Sequence, residues 1–156
     1  MCVPMAGLLL ERGARHQHHR AVSLRARGDP HHEGAAAPGG RIVNIGSVSA
    51  KTPRPDSLPY TVTKFGLQGM THQLTMDGRK HNIVSSIIHP GATLSSFSTR
   101  RGRTKAGYGE KPGDDYIMAA EDVAKVAVLM AALPEEVNLY EATILPNSMR
   151  SFIGRG

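Results

Sequence analysis

The residues best suited to chemistry in this chain are Ser47, Tyr60 and Lys64. Converting an alcohol to a carbonyl, or the reverse, requires a group that exchanges the proton on oxygen while hydride moves at carbon. A free tyrosine hydroxyl, with a pKa of about 10, is a poor base at neutral pH, but a neighbouring ammonium favours the phenolate. A serine hydroxyl can hold the substrate oxygen as charge builds on it. These residue types therefore indicate alcohol–carbonyl redox chemistry if the fold brings them together.

A strand and a helix must position these residues. The mostly apolar strand Arg41–Ile45 ends two residues before Ser47, and the pattern over residues 60–80 is helical. Pro59 lies where a helix can begin, and Asn82 fits a left-handed cap after the helix. The helix is predicted to carry an apolar stripe made of Val62, Phe65, Leu67, Met70, Leu74 and Met76.

Two further strands and a second helix complete the pattern. The strands are predicted at Ile83–Ile88 and Glu141–Leu145, and the helix at Ala120–Leu133, with acidic residues in its first turn and Pro134 after its end. Alternating strands and helices predict an α/β fold with a parallel sheet flanked by helices.

Such a sheet binds ligands beyond the carboxyl ends of its strands. Ser47 follows a strand directly, and Tyr60 and Lys64 lie one turn apart on one face of the next helix, near the same edge. Two alternatives stay open at this point: Ser49 is a rival for the serine role, and the tyrosine–lysine pair could be an ordinary exposed pair. The three groups are nevertheless predicted to converge.

Several motifs at this edge resemble a known family. Asn44-Ile45-Gly46-Ser47, followed by Tyr60 and Lys64, is similar to the N-I-S-S…Y-x-x-x-K pattern of short-chain dehydrogenases/reductases. Pro90-Gly91, which by itself could be a plain turn, matches the P-G motif that follows the next strand in that family. The resemblance covers roughly three quarters of the chain, from residue 40 onward.

The resemblance implies a role for each site residue. Tyr60 would be the acid/base, Ser47 would position the substrate oxygen, and Lys64 would favour the phenolate and hold the nicotinamide ribose of NAD or NADP. The implied cofactor contacts are Tyr60, Lys64, Pro90, Gly91, Thr93 and Ser95. Residues 94–117 would form the loop that covers the substrate.

Residues 1–40 do not share this regularity. They are rich in Arg, His, Gly, Ala and Pro without a period of 2 or 3.6, and they contain no glycine-rich turn for a pyrophosphate. We expect an irregular, poorly ordered and non-native segment here, followed in residues 41–156 by the catalytic half of a partial, doubly wound Rossmann-like sheet. The strands would lack neighbours on one side, which predicts an open edge, a bare helix face and at best weak activity.

Composition argues against several other classes of protein. The formal charge of +6 is spread along the chain without a nucleic-acid-reading motif, and Met5–Leu10 is too short to span a membrane. Cys2 is the only cysteine. The histidines of the first segment have no carboxylate or cysteine at a ligand spacing; they are His16, His18, His19, His31 and His32. We expect a cytoplasmic protein with no metal, nucleic-acid or membrane partner.

The leading hypothesis is an oxidoreductase that moves hydride between NAD or NADP and a small alcohol or carbonyl. The alternative is an inactive remnant that keeps only the surface for self-association, since the resemblance implies a homo-oligomer through helix 60–80. A basic nucleic-acid binder ranks last. The arginines and lysine of the loop at 100–105 could favour an anionic substrate or form a solvated loop.

Overall fold

The computed structural model describes residues 21–24, 39–95, 107, 116–149 and 152. Within them, four strands form one sheet in chain order: β1 (Ala21–Leu24), β2 (Gly40–Ile45), β3 (Ile83–Pro90) and β4 (Glu141–Ile144). β2, β3 and β4 are parallel, as predicted, whereas β1 is antiparallel to β2.

Among the described residues, two α-helices lie between the parallel strands: α1 (Leu58–Gly78) and α2 (Ala120–Ala132). Pro59 lies in the first turn of α1, where its missing N–H costs nothing. Asn82, with φ of 53°, adopts the left-handed conformation predicted for it. All five elements predicted after residue 40 are confirmed, with ends that differ by one or two residues at most.

The two helices lie on opposite faces of the sheet. Successive side chains of a strand alternate between faces, and the amide of Asn44 donates to the hydroxyl of Thr71 in α1, whereas Val43 belongs to the apolar cluster with Val123 and Met130 of α2. The sheet is therefore covered on both sides, which confirms the α/β class.

Arg41 connects the α2 face of the sheet to the end of α2. Its buried guanidinium donates to the carbonyls of Leu133, Pro134 and Val137. Helix ends leave backbone carbonyls without intrahelical partners, and the guanidinium supplies a donor to the carbonyl of Leu133, the residue that follows α2. The Pro134 carbonyl also accepts from the backbone N–H of Val137.

The apolar stripe predicted on α1 does not face the sheet as a unit. The residues of α1 that are buried are Lys64, Leu67, Thr71 and Gly78. Most of the predicted stripe is exposed instead, together with the first residue of the helix: Leu58, Val62, Phe65, Met70 and Met76. α1 therefore has an apolar side that points away from its own sheet.

The first forty residues contribute one strand, at a place where the sequence pattern predicts none. Ala21–Leu24 forms a strand, and its four residues pair along β2 from Asn44 to Arg41. This edge of the sheet is therefore not open, since β1 supplies hydrogen-bonding partners to β2. The pairing is non-local and involves a short segment without a clear periodic pattern, so local sequence did not predict it. Residues 1–20 and 25–38, and with them the expected disorder, lie outside the described residues.

Candidate active site

The carboxyl ends of the parallel strands meet at one edge of the sheet. The backbone of Gly46 donates to Ile88 at 2.7 Å, and that of Gly91 donates to Ile144 at 2.8 Å, so the pairing continues one residue beyond β2 and β3. The segments that follow all three strands consequently lie side by side. This is the edge at which open parallel sheets bind ligands.

Ser47 is buried in the turn that follows β2. Its hydroxyl accepts from the backbone N–H of Ser49 at 3.1 Å and caps a short 3₁₀ turn, Val48–Ala50. Such a cap holds the serine in one orientation at the sheet edge. Ser49, the rival candidate, is also buried and lies inside the turn rather than at its start.

Lys64 ties the second turn of α1 to the end of β2. Its Nζ donates to the carbonyl of Ile45 at 3.0 Å and lies 5.7 Å from the centroid of the Tyr60 ring. The side chain is buried, and the loss of hydration lowers the pKa of Lys64 below its ordinary value. An ammonium in this setting interacts with a nearby phenol more strongly than it would in water. Because Ile45 lies two residues before Ser47, the predicted serine, tyrosine and lysine occupy the same end of β2 and α1.

The predicted cofactor residues of the second loop begin where β3 ends. Pro90 is the last residue of β3, and a side chain on Gly91 would meet the Met149 sulfur at 2.7 Å, so this backbone packs directly on the segment after β4. The Thr93 hydroxyl donates to the Gly91 carbonyl at 3.1 Å, and Ser95 is exposed. The structure therefore places these residues on the loop beside the β4 end. Most of the predicted covering loop, residues 96–106 and 108–115, lies outside the described residues.

His89 was not singled out as a site residue, although the structure places it directly against Ser47. It is fully buried in β3, and its Nδ1 lies 2.9 Å from the Ser47 carbonyl oxygen. A signal was present in the sequence: Gly46 stands where the family pattern has a serine, and a missing side chain beside a strand leaves room for a neighbour. Lys51 and Glu141 form an ion pair nearby, between the loop after β2 and the start of β4.

The described ranges contain no group of three or more histidine, cysteine, aspartate or glutamate side chains arranged to hold a metal ion. Neither α1 nor α2, the helices of the described part, is long and apolar enough to cross a membrane.

Residues 31–106 match the family model described as short chain dehydrogenase. Sulfoacetaldehyde reductase 2 of Chromohalobacter salexigens is 31% identical over 109 residues, which is 69% of this chain and 43% of that protein. The uncharacterized oxidoreductase YohF of Escherichia coli is 43% identical over 60 residues, 38% of this chain and 24% of YohF. This chain thus spans less than half the length of either relative.

The fold is also similar to that of solved structures. A 4-hydroxyisoleucine dehydrogenase complexed with NADH superposes with a TM-score of 0.52 at 24% identity, over 70% of this chain and 46% of the dehydrogenase. At this identity the similarity supports the α/β fold of the described residues.

Proposed function

Because this chain belongs to the short-chain dehydrogenase/reductase family, we propose that it carries the catalytic half of an NAD- or NADP-dependent oxidoreductase. Its substrate would be a small alcohol or carbonyl compound. The observation that carries the proposal is the Lys64 ammonium, buried between the end of β2 and the Tyr60 ring. A buried ammonium is costly unless it interacts favourably with its surroundings, and residues with perturbed pKa values at a cleft edge are typical of functional sites.

In this proposal, Tyr60 and Ser47 act on the substrate oxygen, and Lys64 acts through Tyr60. The Tyr60 hydroxyl exchanges a proton with that oxygen, the Ser47 hydroxyl holds it as charge develops, and Lys64 favours the phenolate. The cap that orients Ser47 and the hydrogen bond from Lys64 to Ile45 exist before any substrate arrives. Preorganised groups of this kind need no rearrangement during the reaction.

The described residues fit the nicotinamide end of the implied cofactor. An ammonium has three N–H donors, and the hydrogen bond to the Ile45 carbonyl uses one of those of Lys64, so donors are left for the hydroxyls of the nicotinamide ribose. The loop from Pro90 to Ser95 would face the nicotinamide amide. When bound, the cofactor exchanges hydride with the substrate carbon.

Cofactor binding tests the proposal most directly. NADH or NADPH fluorescence should change saturably on titration with the protein, and Lys64→Ala should weaken the binding. Turnover of a panel of small aldehydes and ketones, followed by NAD(P)H absorbance, should then be abolished by Tyr60→Phe. Tyr140→Phe is the matched control, because Tyr140 contacts His72 in the middle of α1, away from this edge.

The absence of saturable binding at any practical cofactor concentration would refute the enzyme proposal for this chain and favour an inactive remnant. Binding that is unaffected by Lys64→Ala would show that the cofactor does not use this site.

We also propose that α1 mediates self-association with a second copy of the chain. The exposed apolar residues of α1 occupy its side opposite the sheet, and Gly66 and Gly69 on the same helix have nothing near their α-carbons that would hinder close approach. An exposed apolar face of this kind commonly marks an interface.

Light scattering after gel filtration should show a dimer that Phe65→Glu converts to a monomer. Val128→Glu, at a comparably exposed apolar position of α2, should leave the dimer intact, and equal behaviour of the two variants would contradict the assignment.

A further inference from the structure

The ring of His89 lies directly beneath the turn that carries Ser47. His89 is 0% exposed, and its Nδ1 lies 2.9 Å from the Ser47 carbonyl oxygen. A carbonyl oxygen only accepts hydrogen bonds, so Nδ1 carries the hydrogen and donates. The same carbonyl also accepts from the backbone N–H of Ala50 at 2.9 Å. The Ser47 peptide is therefore held by two donors, one from its own turn and one from the neighbouring strand.

The other ring nitrogen of His89 has a different environment. Nε2 is buried and has no hydrogen-bond partner among the described residues. Burial lowers the pKa of His89 below its ordinary value, so the neutral ring with hydrogen on Nδ1 is the favoured form. The charged groups around the ring act in both directions: Glu141 favours protonation, whereas Lys51 and Lys64 oppose it.

Gly46 is what allows the ring to reach Ser47. A side-chain carbon at position 46 would lie 2.8 Å from Nδ1 and 3.0 Å from Cε1 of His89, closer than non-bonded atoms can approach without displacement. The imidazole thus occupies the space that a side chain on Gly46 would need. Cδ1 of Ile87 lies 3.0 Å from the same point, so a larger residue at position 46 would have to displace both the ring and this methyl group.

We propose that His89 is a positioning residue for the serine of the active site. It acts by donating a hydrogen bond to the Ser47 carbonyl, and the missing side chain of Gly46 leaves room for the ring to do so. The assignment rests on the proposed function, because positioning Ser47 matters for catalysis only if its hydroxyl holds a substrate oxygen. The hydrogen bond from Nδ1 restricts rotation of the Ser47 peptide, and with it the direction of the hydroxyl. Protonation at Nε2 would place a second N–H in a buried position without an acceptor and would disturb this arrangement.

Two substitutions separate the hydrogen bond from simple packing. His89→Asn keeps an amide N–H donor close to the position of Nδ1, whereas His89→Leu fills a similar volume without a donor. In the active protein, His89→Leu should lower kcat on the order of 100-fold, which is the scale of a misplaced catalytic group, with the KM for the cofactor unchanged. His89→Asn should restore kcat to within a few-fold of the parent, and it should remove the loss of activity at acidic pH that follows His89 protonation.

The pairing with position 46 supplies a second test. Gly46→Ala in the parent should lower kcat because the new methyl group displaces the ring, and the same change in a His89→Ala background should cost less, since alanine has no atom at the position of Nδ1, which would lie 2.8 Å from the methyl group. Equal costs in the two backgrounds would contradict the coupling. An unchanged kcat in His89→Leu would overturn the positioning role itself.

A readout that does not need turnover keeps this assignment separate from the proposed function. Nitrogen NMR of the imidazole should show hydrogen on Nδ1. The backbone N–H of Ala50 donates to the same carbonyl, so its hydrogen exchange should accelerate in His89→Leu but not in His89→Asn. The expected acceleration is up to about tenfold, which is the scale of one net hydrogen bond. If the parent shows no turnover, the proposed function fails, and the tautomer and the exchange at Ala50 still decide whether His89 holds the Ser47 peptide. Hydrogen on Nε2, or equal exchange in both variants, would overturn it.

Discussion

A buried polar contact joins the strand that leads to Ser47 to the helix that carries Tyr60 and Lys64. The Asn44 side-chain amide donates to the Thr71 hydroxyl at 3.0 Å, and both residues are at most 1% exposed. Thr71 in turn donates to the carbonyl of Leu67, one turn earlier in α1. The contact is therefore a sensitive point for the alignment of the two elements.

Replacing Thr71 by valine keeps the volume of the side chain and removes its hydroxyl. The Asn44 amide nitrogen then loses its acceptor, while the amide oxygen already lacks a partner among the described residues. A buried donor left without a partner costs about 1–3 kcal/mol. We expect Thr71→Val to lower the free energy of unfolding by about 2 kcal/mol, which corresponds to a decrease in Tm of roughly 4–8 °C for a chain of this size.

Urea unfolding followed by circular dichroism measures this change, with the m-value checked for constancy. Thr75→Val is the matched control, because the Thr75 hydroxyl donates only to backbone carbonyls, and its loss leaves no buried donor unpaired; we expect less than about 1 kcal/mol. Adding Asn44→Leu to Thr71→Val should recover at least about 1 kcal/mol, since both polar partners are then gone. A loss below about 0.5 kcal/mol in Thr71→Val, or a double variant less stable than Thr71→Val, would refute the reasoning.

Three further predictions concern buried ionisable groups. Arg41→Met should lower the free energy of unfolding by about 2 kcal/mol, the scale of a hydrogen bond from a charged group, because the carbonyls of Leu133 and Val137 lose the guanidinium donor; urea unfolding measures the change, and a variant as stable as the parent would contradict the bonding described for Arg41. Lys64→Met should leave stability unchanged or raise it, because burial lowers the pKa of this ammonium and the charged form opposes folding; a clear loss of stability would show that the lysine is structural. Because burial lowers the pKa of His89 from its ordinary value of 6.5, the unfolded chain binds the proton more readily, so stability should fall as the pH drops below 6.5 and level off below the lowered pKa. His89→Asn should lack this pH-dependent contribution to stability. If the pH profile of unfolding of His89→Asn is identical to the parent's, the pH dependence does not come from His89.

Local pattern predicted the elements after residue 40 well, because their signals are short-range. Runs of apolar and β-branched residues mark β2 and β3, and a proline and an asparagine mark the two ends of α1. The order of these elements indicated a parallel sheet, and the sheet edge in turn indicated where a serine, a tyrosine and a lysine would meet. The structure places the lysine beside both the tyrosine ring and the end of β2.

Other features depend on contacts between distant parts of the chain. Periodicity shows that α1 has apolar residues but not which side meets the sheet; the buried side carries Lys64 and Thr71, and Phe65 on the outer side is 45% exposed. The pairing of β1 with β2 and the contact of His89 with Ser47 are likewise non-local.

The kinds of elements, their order and the residue types available for chemistry follow from local sequence, because backbone preferences and the spacing of side chains act over a few residues. The strand that occupies the edge of β2, the side of α1 that is buried and the histidine ring that fills the space beside Gly46 follow from the packing of the whole fold. These outcomes depend on strand register and on the exclusion of overlapping atoms between segments tens of residues apart, and no local pattern encodes them.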